Sequence, residues 1–388
     1  MKTSISTAER DAVERWFLQR GLPAVLKPGA LLHRVWSRSA PALAALATFA
    51  TNTILVAMLA GDRAVDIAGT PTATEWLVLA LLTVVTPAAV LMGWLVSRIA
   101  GVQRRLLVAN ASLALIALGA FFGGVSTRQH FNLVFAAVCL AIILAATATG
   151  LGSILGWSAR MTLANLAQSM RLLGRALPVV LLTFLVFFNG NVWLMSAVIS
   201  RERLWLGTGL LYLIAAAYLV SGTQQRVLSV LSSPKPTSAV DAKLAGTPLE
   251  NVSGTTTNEK LSTAERVNVV FVVAASQLAF VFVVAAITGM IFFVLGLILI
   301  SPDLLGMWTQ HLGSTDGRLL NMTIPVPDPL IQISMMLTAI TFMYLAAKAA
   351  TELDFRARFL DPMLEDLEVT LLARARCRSR SWIAGQRD

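Results

Sequence analysis

Eight stretches of the chain lack the alternation of apolar and polar positions that marks a surface element; they run apolar on every side for a helix's full turn. They cover residues 40–60, 76–98, 107–125, 133–157, 177–200, 204–221, 267–300 and 328–350. A bilayer core takes about 20 residues of helix, so each stretch predicts one crossing. The seventh is the exception in length: its 34 residues make about 51 Å of helix against a core of about 30 Å. Ser276-Gln277 is a poor turn, so the pattern predicts one long helix, tilted or projecting from the membrane.

Between the spans the pattern changes to amphipathic. Ser6-x-x-Glu9 reads as a capping box, followed by Val13, Trp16 and Phe17 on one side and a stop at Gly21-Leu22-Pro23. Leu163, Leu166, Met170 and Leu173 share a second face, with Arg160, Arg171 and Arg175 as candidate contacts to lipid phosphates. A third helix is expected after Asp361-Pro362, with Leu360, Leu364, Leu367 and Leu371 as its stripe. Its acidic residues come early and Arg374 and Arg376 late, complementing the helix dipole. Residues 232–261 have no apolar period and read as a linker. Ser-Thr-Ala-Glu-Arg occurs at both 6–10 and 262–266, as expected of two helices begun by the same cap.

Charge sets the orientation. With residues 1–39 inside, 26 of the 31 Lys and Arg fall on the cytoplasmic side, where the net charge is +12 against −2 outside. That asymmetry predicts cytoplasmic N- and C-termini. The expected organisation is a basic amphipathic segment at 1–39, six spans over 40–221, a cytoplasmic loop at 222–266, two spans over 267–350 and a basic tail at 351–388. Composition agrees: 56% of residues are hydrophobic, 13% charged, and mean hydropathy is +0.72, where soluble domains carry about 25% charge. The net charge of +10 would point to nucleic acid in a soluble protein. In a membrane protein it points to anionic lipids on the cytoplasmic face, and no nucleic-acid partner is expected.

The search for chemistry returns little. The span interiors hold no carboxylate, histidine or deep basic residue, which argues against a proton-coupled carrier. Cys139 and Cys377 form no metal or disulfide framework, and His33, His130 and His311 lack metal-ligand spacing. No phosphate-binding loop, nucleophile elbow or zinc motif occurs, so no cofactor and no enzymatic activity are expected. The most unusual intramembrane feature is Asn189-Gly190-Asn191 within Phe187–Trp193. Two amides around a glycine either break the helix and expose backbone groups to an ion or substrate, or hydrogen-bond across helices; the second is the commoner use. Asn52, Asn110, Gln277 and Gln332 read as interhelical contacts. Asp62 and Asp66 in the first outer loop resemble the acidic residues of membrane glycosyltransferases that use lipid-linked sugars, but a solvated loop is the simpler reading.

The run Glu14-Arg15-Trp16-Phe17-Leu18-Gln19-Arg20-Gly21-Leu22-Pro23, followed by a basic stretch and a span, resembles a family of actinobacterial integral membrane proteins. Two further segments share the resemblance: Arg175-Ala176-Leu177-Pro178 on to Asn191-Val192-Trp193, and Phe342–Ala346 on to Phe355–Phe359. It implies the same topology and a bacterial plasma membrane, in a family without an assigned activity. Relatives often carry Glu where this chain has Asn191. The chain is therefore expected to be an all-α bundle of eight transmembrane helices with amphipathic cytoplasmic surface helices. The expected role is a non-catalytic accessory or scaffolding component that meets a protein partner at those helices. A transporter or channel with a pathway near Asn189-Gly190-Asn191 is the alternative.

Overall fold

The computed structural model describes residues 7–26, 31–32, 34–61, 65–67, 69–124, 128–173, 183–232, 261–319, 322–351, 366–367 and 369–374, without the side chains of 7–11, 163–173, 226, 228–232 and 319. Helix α1 (Thr7–Gln19) and a 3-10 turn at Pro23–Val25 lead into α2 (Val35–Ala60), α3 (Ala73–Ser97), α4 (Val102–Phe122) and α5 (Gln129–Thr149). Then come α6 (Leu151–Leu173), α7 (Gly190–Val198), α8 (Arg201–Ser232), α9 (Thr263–Leu299) and α10 (Pro302–Thr309). A hairpin of β1 (Gly317–Leu319) and β2 (Met322–Ile324) precedes α11 (Asp328–Thr351). Residues 366–367 and 369–374 are also helical.

Among the described residues, seven helices are long and apolar enough to cross a membrane: α2, α3, α4, α5, the Arg201–Gln225 part of α8, α9 and α11. Apart from the one hairpin, this is an all-α, multi-pass membrane fold. Exposed Trp76 and Trp94 on α3 are 18 residues apart, which is about 27 Å of helix and close to the hydrocarbon thickness. Tryptophan favours the two interfaces of a bilayer, so the spacing marks the buried length of α3. The long helix expected at 267–300 is continuous in the structure: α9 has 37 residues, about 55 Å, opened by a capping box between Ser262 and Glu265.

Two expected spans differ. The fourth was expected to reach residue 157, but α5 stops at Thr149 because Gly150 takes a left-handed φ of 81° and turns the chain. A Cβ on Gly150 would fall on the Pro23 ring, so glycine is required there twice over. Residues 151–157 instead begin α6, and Ile154, Trp157 and Ser158 are buried. In the fifth, residues 183–187 are helical, the chain turns at Phe188, and a new helix starts at Gly190; residues 174–182 lie outside the described set.

The helices pack in two groups. In the first, α2 lies between α3 and α4, with α5 alongside, around Leu43, Ala44, Ala47, Ala109 and Ile116. Close approach depends on Gly119, where a Cβ would stand 2.6–2.9 Å from Ala50 atoms. In the second, α8, α9 and α11 pack on one another, with α6 against α9 and α7 against α11. There Gly289 lies beneath Thr338 and Gly296 beneath Leu330. Helix α8, which precedes the expected linker, therefore packs on the two helices that follow it. The bundle has one end carrying α1 and the 366–374 helix, and an opposite end carrying the hairpin.

Candidate functional site

At the α1 end, segments far apart in sequence close over the start of α9. The apolar face expected on α1 is real: Val13 and Phe17 are buried in one cluster with Trp157 of α6, Val269, Val272 and Val273 of α9, and Leu367 and Ala373. Of the stripe expected after residue 360, Leu367 is buried and Leu371 partly so, while Leu360 and Leu364 lie outside the described residues. The polar residues lock this cap. Arg20 lies over the Trp16 ring at 4.6 Å and pairs with Asp366, so α1 and the 366–374 helix meet directly. Arg160 donates to the carbonyl of Gln19 at 2.6 Å, tying α6 to the last turn of α1.

The centre of the cap is ionic. Arg374 donates from its Nε to Glu265 Oε1 and from a terminal nitrogen to Glu265 Oε2, both at 2.7 Å, and the side chains are 4% and 2% exposed. Glu265 is also the acidic member of the α9 capping box and accepts from the Ser262 backbone N–H at 2.8 Å. A planar guanidinium meeting a carboxylate through two bonds fixes orientation as well as distance. Expected as a dipole partner of its own helix, Arg374 instead fixes that helix to the N-terminus of α9. Arg171 and Arg175, expected with Arg160 as lipid contacts, and Cys377 lie outside the described side chains.

At the hairpin end, Asn189-Gly190-Asn191 is a helix break. Asn189 is the N-cap of α7, its side-chain oxygen accepting from the Asn191 backbone N–H at 3.0 Å. That bond is local; the commoner use expected for the two amides, a hydrogen bond across helices, is not the one Asn189 makes. Both asparagines are exposed, and Gly190 lies against Trp308 of α10. Trp193 is fully buried and donates from its ring nitrogen to the Phe187 carbonyl at 2.6 Å, which satisfies a backbone group freed by the break. Phe187, Phe188, Phe292 and Trp308 close around it with ring centroids 5–6 Å apart.

Of the outer-loop aspartates, Asp66 joins no cluster of carboxylates among the described residues. Asp66 is exposed, and its segment adds a parallel bridge to β2, with Ile67 N–H donating to the Thr323 carbonyl at 3.1 Å and Thr323 N–H to Val65 at 3.0 Å. Asp62 lies outside the described residues. Asp328, at the start of α11, is the local hub instead: it pairs with Arg201 and accepts from the Arg318 N–H at 3.2 Å and from Gln332 Nε2 at 2.9 Å. Among the polar residues expected between helices, Gln277 accepts from Thr223 of α8 at 3.0 Å and Asn110 from the Trp36 ring nitrogen of α2 at 2.9 Å. Gln332 bonds within its own helix.

Sequence reasoning missed the Glu265–Arg374 pair, for which no local signal exists. It also missed the Gly150 corner and the Gly119-x-x-x-Gly123 contact, the second of which carries the small-residue spacing of close helix pairs. No protein-family model, curated protein or solved structure matches the chain.

Proposed function

We propose that the chain is a non-catalytic accessory or scaffolding component of a bacterial plasma membrane, presenting the α1 end to the cytoplasm as a docking face for a protein partner. The observation that carries this reading is the cap itself: α1, α6 and the 366–374 helix are joined into one packed unit at the start of α9. Such a unit is a rigid surface beyond the membrane. The charged residues of the described spans fall at their ends, leaving the interiors without a titratable relay. The resemblance to actinobacterial membrane proteins supports the choice of membrane.

Topology follows from the same cap. Helix α1 and the 366–374 helix meet through Arg20 and Asp366, which requires an even number of crossings between them. Seven long helices among the described residues make an odd number, and an eighth crossing in the stretch that includes 183–198 accords with that meeting. The charge asymmetry supports a cytoplasmic α1 end with the hairpin on the outer side.

Cross-linking in native membranes tests the docking role. Arg374→Ala, and separately removal of 361–388, is expected to abolish a stoichiometric cross-linked partner while insertion persists; unchanged recruitment in both rejects the reading. A transport pathway is the second reading, motivated by the helix break at Asn189. Unaltered flux through vesicles carrying Asn189→Leu with Asn191→Leu would remove it.

A further inference from the structure

Beside the Gly150 corner lies a cleft of about 860 Å³, within the range of about 300–1,000 Å³ usual for small-molecule sites. Its walls are Pro23, Leu26 and Leu31, the α5–α6 corner at Thr149, and the first turns of α9 with Val267, Asn268 and Phe271. The lining is mostly apolar; its polar side chains are Thr149, Thr263 and Asn268. Asn268 is 8% exposed, and its side-chain Nδ2 has no acceptor among the described residues. Buried amide N–H groups are rarely left so. A water molecule would need about 2–4 polar partners to sit there. The Thr149 hydroxyl is already donated to the Ala145 carbonyl at 2.8 Å, and apart from Thr263 the other lining side chains are hydrocarbon.

The cleft opens at the level where acyl chains meet headgroups. Helix α5 has 21 residues, about 31 Å, so it just spans the hydrocarbon, and Thr149 at its end marks the boundary. Leu151, Val267 and Phe271 at the cleft are exposed, an arrangement suited to lipid rather than water. Exposed arginines flank both walls: Arg34, three residues beyond Leu31, and Arg266, next to Val267. An apolar slot, one buried donor at its wall and cations at its mouth match the tail, ester carbonyl and phosphate of one molecule.

We propose that this cleft holds one glycerophospholipid of the adjoining leaflet, with an acyl chain in the slot, an ester carbonyl accepting from Asn268 Nδ2 and the phosphate near Arg34 and Arg266. This requires only that the bundle spans a membrane; calling the leaflet cytoplasmic rests on the topology proposed above, and loss of the docking role would leave it untouched.

Native mass spectrometry of the full chain released from nanodiscs of mixed anionic and zwitterionic glycerophospholipids tests it. Wild type is expected to retain one phospholipid under conditions that strip the annular shell. Val267→Trp, at an exposed position, closes the mouth without disturbing the core and is expected to lose that lipid. Asn268→Leu keeps the volume but removes the donor, and is expected to weaken retention about fivefold. Val84→Trp, at an exposed position on α3, is expected to behave as wild type. Three results would overturn the proposal: no lipid retained by wild type, equal retention in Val267→Trp and Asn268→Leu, or cross-links showing that residues 233–260 of the chain fill the cleft.

Discussion

The two ends of the bundle use the same chemical device in different surroundings. At the α1 end Glu265, in the first turn of α9, receives Arg374; at the hairpin end Asp328, which begins α11, receives Arg201. Each carboxylate also takes a backbone N–H, and each lies at a helix N-terminus, where the dipole favours negative charge. The difference is water. The first pair is 4% and 2% exposed, the second 25% and 24%. Burial removes both charges from solvent, so neither tolerates the loss of its partner, whereas a half-exposed pair is screened and replaceable. The same pairing of carboxylate and guanidinium thus serves as a lock at one end and a trim at the other.

That contrast is broken most directly at Arg374. Arg374→Leu leaves Glu265 buried without its cation and is expected to lower stability by about 3–5 kcal/mol, read as a drop in Tm in detergent or nanodiscs. Replacing both, Glu265→Leu with Arg374→Leu, is expected to recover much of that loss, because two apolar side chains leave no stranded charge. A double variant as unstable as the single would mean that the pair stabilises the cap beyond its mutual neutralisation. Gly150→Ala attacks the same end through the backbone. A side chain at φ 81° that also meets Pro23 is expected to cost about 1–3 kcal/mol and to loosen α1, seen as faster hydrogen exchange there.

At the hairpin end the same measurements should give small numbers. Arg201→Leu is expected to cost about 1 kcal/mol or less, and raising the salt concentration should shrink even that difference. A loss as large as that of Arg374→Leu would erase the distinction drawn from burial. Asp66→Asn is expected to shift stability by less than about 0.5 kcal/mol, since the exposed side chain contributes nothing to the bridge its backbone makes with Thr323.

What the sequence disclosed and what it hid divide along local and distant interactions. Span 267–300 could be read because its hydrophobicity is continuous, and its start at Ser262 because a capping box needs only four neighbouring residues. The same signal gave the apolar face of α1, with Val13 and Phe17. Gly150 escaped because the apolar run continues through it; only the left-handed φ, set by the approach of Pro23, ends α5 at Thr149. The Asn189 break was visible as an oddity of composition, yet its closure by Trp193 and Trp308 depends on α10, more than 100 residues away. Glu265 and Arg374 looked like ordinary charges of helix ends. No periodicity joins residues 109 apart, so the most buried charges of the described cap were the least legible.

The cap also sets a schedule for synthesis. Arg20 leaves the ribosome 346 residues ahead of its partner Asp366, and Glu265 leaves it 109 residues ahead of Arg374. At about 5–20 residues per second, Arg20 waits roughly 20–70 s, and the Glu265 carboxylate roughly 5–20 s, before its counterpart exists. In that interval α6 and then α9 emerge and cover part of the α1 face through Trp157 and Val269, Val272 and Val273, and the bilayer surface shelters it before they do. The helical segment that carries Asp366 and Arg374 is then the latch that closes over α1 and the start of α9.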